Sequence, residues 1–308
     1  MNEQLEDREI GPVTVLFGEG GGKYPDGNSL LVRGEDETIL IDPSLGAVAR
    51  QHAGRLPEIH RIFNSHCHED HIAGNHLFPE IPWHVHSQDA VGFRSLDDFM
   101  AIYGFPEPIR TGWRQRCLDD FHYTARPDVT AYVDGDSFDF GGVGLRVVHA
   151  PGHTRGHSVL IIEWGDRGLS ERLAYLGDIE LTGFGPYYGD AWSNLEDFER
   201  SLSRVRNIEA SWYATFHHIG VLEPEPFRER LDRFEHRIAE REAALLEYLA
   251  EPRSLDEIVA HRFIYRPGPA ADFVDCVERR SMGMHIERLL ARKRVEEAEP
   301  GRYLALPE

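Results

Sequence analysis

The stretch Ser65-His66-Cys67-His68-Glu69-Asp70-His71 constrains this chain more than any other part of it. It sets three histidines and an aspartate in the order His-x-His-x-Asp-His, directly after the apolar run Arg61-Ile62-Phe63-Asn64. Imidazole nitrogens and carboxylate oxygens are the groups that bind Zn²⁺ and related divalent ions. Four such groups packed this closely point to two ions rather than one. A centre of this kind is assembled at strand ends, so the fold must deliver further donors just after other apolar runs. Three places qualify. His153 stands in Ala150-Pro151-Gly152-His153-Thr154-Arg155-Gly156-His157, after a run ending at His149. Asp178 follows Ala174-Tyr175-Leu176-Gly177. His217 and His218 follow Ala214-Thr215-Phe216. At each, a rigid element presents a polar side chain, and small residues let backbone segments approach closely.

The pattern around these sites is mixed. Residues 13–17, 29–33, 38–42, 61–64 and 83–85 are β-rich, with turns at Gly20-Gly21-Gly22 and Asp26-Gly27-Asn28. The Gly-rich turn lacks the Gly-Lys-Ser/Thr ending of a phosphate-binding loop. Residues 72–78 read as a short helix. Residues 87–128 lose strand character and form a helical insertion broken by Pro106 and Pro108. Strands resume at 144–149, 158–164 and 172–176. A helix over 195–208 is marked by Leu195, Phe198, Leu202 and Val205, and a strand follows over 210–216. Beyond Glu223-Pro224-Glu225-Pro226 the pattern is helical, over 227–250, 255–261 and 273–293, and it closes with two short strand-like runs over 295–306. The expected organisation is a catalytic unit over 1–222 and a C-terminal winged-helix-like cap over 223–308.

Length and charge limit the function classes. The 308 residues carry a formal net charge of -20, and Lys23 and Lys293 are the only lysines. Counterion release at a nucleic acid needs clustered Lys and Arg, so nucleic acid is not the expected partner, although Arg279, Arg280, Arg288, Arg292, Lys293 and Arg294 gather near the C-terminus. Cys67, Cys117 and Cys276 form neither a disulfide framework nor a Cys-x-x-Cys metal pattern. Residues 1–9 lack the apolar run of a signal peptide, and no stretch has the apolar length of a membrane span. These features predict a cytoplasmic protein acting on a small molecule, with no membrane association.

In combination, His-x-His-x-Asp-His, Pro-Gly-His-Thr, Leu-Gly-Asp and a late strand-end histidine resemble the metallo-β-lactamase superfamily, over roughly residues 11–222. The resemblance implies an α+β fold, an αββα sandwich with a two-metal site at one edge. It implies that His66, His68 and His153 hold one ion, that Asp70, His71 and His217 (or, less favoured, His218) hold the other, and that Asp178 bridges them. The expected ions are two zincs, with Mn or Fe as alternatives. The implied activity is hydrolysis of a small ester, thioester or lactone by a metal-bridging hydroxide, with Asp70 or Asp178 accepting its proton. Two ions less Asp70, Asp178 and hydroxide leave about one positive charge, which suits an anionic substrate group.

Other histidines have plainer readings. His84 and His86 share a strand face, and His52, His60 and His76 are surface or supporting residues. Thr14, Asp42 and His149 read as structural, His157 as orienting a ligand, and Tyr187 and Tyr188 as candidates for the cleft edge. The alternative functions are a mononuclear-iron persulfide dioxygenase-like oxidoreductase and a non-catalytic regulatory protein that keeps the fold. The C-terminal block either packs over the site or forms a homodimer interface.

Overall fold

In the computed structural model, which describes residues 6–165, 170–268 and 270–307, two sheets face each other with helices outside. Residues 1–5, where the polar N-terminus begins, lie outside the described part. The first sheet runs in sequence order: β1 (Arg8–Ile10), β2 (Val13–Leu16), β3 (Ser29–Arg33), β4 (Thr38–Ile41), β5 (Arg61–Phe63), β6 (Trp83–His86) and β7 (Thr130–Tyr132). The second, also in sequence order, comprises β8 (Ser137–Asp139), β9 (Val143–His149), β10 (Ser158–Trp164), β11 (Glu171–Tyr175), β12 (Trp212–Ala214) and β13 (Val221–Leu222).

Alternation along the strands builds the layer between the sheets. Val13, Val15, Leu30, Val32, Ile39 and Ile41 of one sheet meet Leu145, Val147, Leu160, Ile162, Leu173 and Tyr175 of the other. Inward residues recur every second position, as side chains on a pleated strand must. The outer faces are covered by helices: α1 (Leu45–His52), α2 (Leu96–Tyr103), α3 (Ile109–Asp119) and α4 (Leu195–Val205). Ile62, Trp83 and Val85 pack under α2 and α3, and Val148, Val159, Ile161 and Ala174 pack under α4. The segment between β6 and β7 is thus helical. The short helix expected over 72–78 is a single 3-10 turn, Asn75–Leu77.

The C-terminal block consists of α5 (Pro224–Tyr248), α6 (Leu255–His261) and α7 (Val274–Ala291), with β14 (Arg253–Ser254), β15 (Val295–Glu299) and β16 (Arg302–Ala305) as a small three-stranded sheet. Ser254 caps α6 in a reciprocal capping box with Glu257. Several arginines of this block's basic cluster are paired. Arg279 pairs with Asp256 at 2.5 Å. Buried Arg288 reaches Glu199 at 2.7 Å and also pairs with Glu242. Arg280 donates to the carbonyls of Tyr103 and Gly104. Arg241 of α5 donates to Phe184 O and Pro186 O, each at 2.6 Å. Arg241, Arg280 and Arg288 thus tie the block to the rest of the chain, while Arg279 is paired within the block.

Candidate metal centre

Four strand ends deliver the site. β5 leads into 64–71, β9 into 150–153, β11 into 176–178 and β12 into 215–217. Because β11 and β12 run parallel, Asp178 and His217 emerge at the same edge. Two glycines permit the approach. Gly152 has φ +128, and a Cβ there would lie 2.3 Å from the Phe198 backbone. Gly177 has φ +53, and its Cβ would lie 2.7 Å from His157 Nε2. Both bends turn the next residue, His153 or Asp178, toward the centre.

The structure gathers His66, His68, His153 and Asp178 into one buried group, and Asp70, His71 and His217 into another, with donor atoms in each within 4.8 Å of one another. In the first, His68 Nδ1 lies 3.0 Å from His66 Nε2 and 2.9 Å from His153 Nε2. The three ring planes cross at 83°, 88° and 83°. Asp178 joins the groups: its Oδ2 is 3.1 Å from His153 Nε2 and its Oδ1 is 2.8 Å from His71 Nε2. Asp70 Oδ2 lies 3.0 Å from His217 Nε2. His218 stands exposed on the rim at φ +59.

The outward nitrogen of each ring decides what the inward one carries. His71 Nδ1 donates to Asp42 Oδ2 at 2.7 Å, His217 Nδ1 to Gly22 O at 2.9 Å, and His153 Nδ1 to Tyr187 O at 3.0 Å. His66 Nδ1 meets Ser65 Oγ at 3.0 Å, and that hydroxyl itself donates to Asp42 Oδ2 at 2.5 Å. His68 Nε2 lies 3.0 Å from Asp190 Oδ2. For His66, His71, His153 and His217 these acceptors fix a proton on the outer nitrogen, so in the neutral imidazoles the inner atoms carry lone pairs, and Asp190 favours the same arrangement at His68 by charge. Lone pairs aimed at one another 2.9–3.0 Å apart repel unless a cation sits among them. Donors about 2 Å from a tetrahedral ion lie roughly 3.3 Å apart, so these rings need to part by only a few tenths of an ångström to hold one. His71 Nε2 and Asp178 Oδ1 are buried without any hydrogen bond despite their proximity. The donor set thus fits divalent ions.

Electrostatics point the same way. Burial works to lower His217, yet Asp178 and Asp70 beside it hold it up at about 10. Burial likewise opposes charge on His71, but Asp178 and Asp42 hold it well above the usual range. Burial, with His71 and His68 as neighbours, drives His66 well below it. Without ions, protons gather where the carboxylates demand positive charge, and a divalent cation meets the same demand.

The remaining sequence readings resolve as follows. His157 Nε2 accepts from the Asp178 N–H at 3.1 Å, so it does orient that residue. His84 stacks on Phe63 and His86 on His149, outside both groups. Tyr187 faces the cavity above the site, whereas Tyr188 is buried against His285. Sequence reasoning missed two residues. Asp42, read as structural, accepts from Ser65 N, Ser65 Oγ, His71 Nδ1 and Tyr175 OH. It ends an apolar strand run, the same signal that marks the other site residues. Asp190, beside His68, follows a Gly/Pro-rich loop and carries no such signal.

With this geometry in place, comparison with known proteins gives the class. The family model described as the metallo-beta-lactamase superfamily matches residues 24–217, and the chain belongs to that superfamily. The fold and its His/Asp site define a metal-dependent hydrolase. An acyl-coenzyme A thioesterase, MBLAC2, of Gallus gallus is 28% identical over 214 residues, covering 62% of this chain and 70% of that protein. A hydroxyacylglutathione hydrolase of Prochlorococcus marinus is 23% identical over 176 residues, covering 56% of this chain and 57% of that one. A solved metallo-beta-lactamase family protein of Thermus thermophilus superposes with a TM-score of 0.71 at 22% identity, over 96% of this chain and 99% of that chain.

Proposed function

We propose that the chain is a two-metal hydrolase of small esters, thioesters or lactones, with residues 223–308 as a cap over its catalytic unit. His66, His68 and His153 would hold one ion, Asp70, His71 and His217 the other, and Asp178 both. The observation that carries this reading is Asp178, whose two oxygens face the two groups separately. Bound there, zinc or a similar ion supplies Lewis acidity and a water acidified to near neutrality. The chain's own residues do the rest. Asp178 turns one oxygen to each group, whereas Asp70 Oδ2 is beside His217 and its Oδ1 lies 4.0 Å from His71 Nε2. Asp70 is therefore the proton acceptor. Water oxygen adds to the acyl carbon, the acyl C–S or C–O bond breaks, and the proton returns to the departing sulfur or oxygen. The thioesterase and glutathione-thioester hydrolase relatives support acyl transfer to water as the reaction.

Metal quantification on the native protein, followed by a panel of esters, thioesters, lactones and phosphodiesters, tests this reading. Two ions per chain and turnover of an acyl substrate are expected. A single iron with persulfide-dependent oxygen uptake, or a metal-replete protein inert on the whole panel, overturns it. Chelation should also destabilise the fold, because a ligand present at a thousand times its Kd adds about 4 kcal/mol to the native state. At the roughly 2–4 °C per kcal/mol of a chain this large, the Tm should fall by about 10 °C on removal of metal. An unchanged Tm would mean that the seven side chains do not hold ions.

A further inference from the structure

A cavity of about 370 Å³ lies directly over the metal centre. Its floor is His68, Asp70, His153, Asp178 and His217, and its walls are aromatic. From the insertion come Tyr103, Phe105 and Trp113, with Tyr103–Phe105 centroids at 5.6 Å and Phe105–Trp113 at 5.6 Å. The C-terminal block adds Phe273, 5.3 Å from Trp113 and 6.2 Å from Phe105. It also adds Tyr265, 5.5 Å from Phe184. Away from the histidines and the ion site of the floor, the charged side chains of the lining are acidic. Glu69, Glu180 and Asp190 line it besides Asp70 and Asp178, and among the described residues no Lys or Arg does. Glu180 and Asp190 are two carboxyls beyond those of the His66–His71 stretch, and with Glu69 they offset the positive charge a pair of ions would leave for the far end of a substrate. The acids are also tied into the walls: Glu69 accepts from Tyr103 OH at 2.5 Å and Tyr24 OH at 3.0 Å, and Asp190 accepts from Tyr187 OH at 3.1 Å.

We infer that this cavity is the acyl subsite and that it selects an uncharged, flat aromatic acyl group over aliphatic or anionic ones. The inference rests on the hydrolase reading above and adds the substrate class. Aromatic rings gain from edge-to-face and stacked contacts beyond their buried area, which a flexible alkyl chain does not. An aromatic acyl group also loses little rotational freedom on binding, whereas each immobilised alkyl rotor costs entropy. A carboxylate on the distal part of the acyl group, away from the floor, would be desolvated beside Glu69 and Asp190 with no Lys or Arg among the described lining residues. The cap then contributes to specificity directly, since Tyr265 and Phe273 belong to it.

The test compares three thioesters of one neutral thiol, N-acetylcysteamine, on the metal-replete enzyme: naphthoyl, octanoyl, and naphthoyl bearing a distal carboxylate. The expected kcat/KM for naphthoyl exceeds that for octanoyl by about tenfold, and that for the carboxylated analogue by roughly a hundredfold. Naphthamide, which resists hydrolysis, should compete about tenfold more tightly than octanamide, read by calorimetry. Phe273→Ala should shrink the naphthoyl-to-octanoyl ratio to near unity. Phe273→Leu, which keeps most of the volume, should shrink it in the same direction, with circular dichroism confirming the fold of both. An octanoyl or carboxylated preference, or a ratio unmoved in both variants, overturns the aromatic subsite while leaving the hydrolase intact. No turnover of any acyl substrate overturns the hydrolase reading, and naphthamide binding then judges the cavity separately. If naphthamide binds no better than octanamide, the subsite is overturned as well.

Discussion

Asp178→Ala is expected to leave the protein folded, with one ion or fewer per chain in place of two, and to lower kcat/KM by roughly 10³-fold or more. The size of the effect follows from position. Asp178 Oδ2 lies 3.1 Å from His153 Nε2 and 3.9 Å from His66 Nε2, while Oδ1 lies 2.8 Å from His71 Nε2 and 3.9 Å from His217 Nε2. No other carboxylate among the described residues faces both groups. Its loss removes a negative charge that both ions share and leaves each with an incomplete donor set. Fold survival is expected because the loop is held through its backbone. The Asp178 N–H donates to His157 Nε2, and the Ile179 N–H donates to Leu176 O at 3.2 Å. Metal analysis after exhaustive dialysis, with circular dichroism alongside, reads the outcome. A variant that keeps two ions and full activity would remove Asp178 from its bridging position. Asp178→Asn, which retains one oxygen ligand, should fall between the two.

The parts of this site legible from sequence were those delivered by strand ends. The run from His66 to His71 announces itself because its donors are neighbours along the chain. His153, Asp178 and His217 could be found because an apolar β-rich run stops immediately before each. The sandwich fold came from the superfamily resemblance that these motifs carry in combination, and the two facing sheets agree with it. The superfamily motif favoured His217 over His218, and the backbone adds a physical reason. His218 takes a left-handed φ of +59 and turns to the rim, and His217 is the one beside Asp70. The substrate walls were not legible. Trp113, Phe184 and Phe273 lie far apart in sequence, and each has the ordinary look of a helix-face or loop aromatic. Only packing of the C-terminal block against the insertion, through Arg280 on the Tyr103 carbonyl, and against the 184–186 loop, through Arg241, brings them over one floor. The residual positive charge read from the motif was likewise incomplete, because Glu180 and Asp190 join the cavity through loops that no periodicity marks.

Asp42→Asn should weaken the ion held by Asp70, His71 and His217 by roughly 10–100-fold. The ion held by the three-histidine group should be affected less. Asp42 touches neither group of inward donors, so its effect runs through His71. Its carboxylate is wholly buried and accepts four hydrogen bonds, from Ser65 N at 2.7 Å, Ser65 Oγ at 2.5 Å, His71 Nδ1 at 2.7 Å and Tyr175 OH at 2.9 Å. Its backbone sits at φ +45, a left-handed conformation that Asn tolerates as well as Asp, so the substitution adds no backbone strain. An amide, however, must turn its NH₂ toward one set of donors. That sets donor against donor and removes the charge that makes His71 a stronger ligand. Losing charge-assisted hydrogen bonds of this kind costs about 3 kcal/mol in stability. The positioning role makes a sharper demand than instability does: activity lost at limiting metal should be largely regained at saturating metal, with kcat recovering and metal titration shifted to higher concentration. A variant whose activity stays low at every metal concentration while its Tm is unchanged would show that Asp42 acts on the reaction by some route other than holding His71.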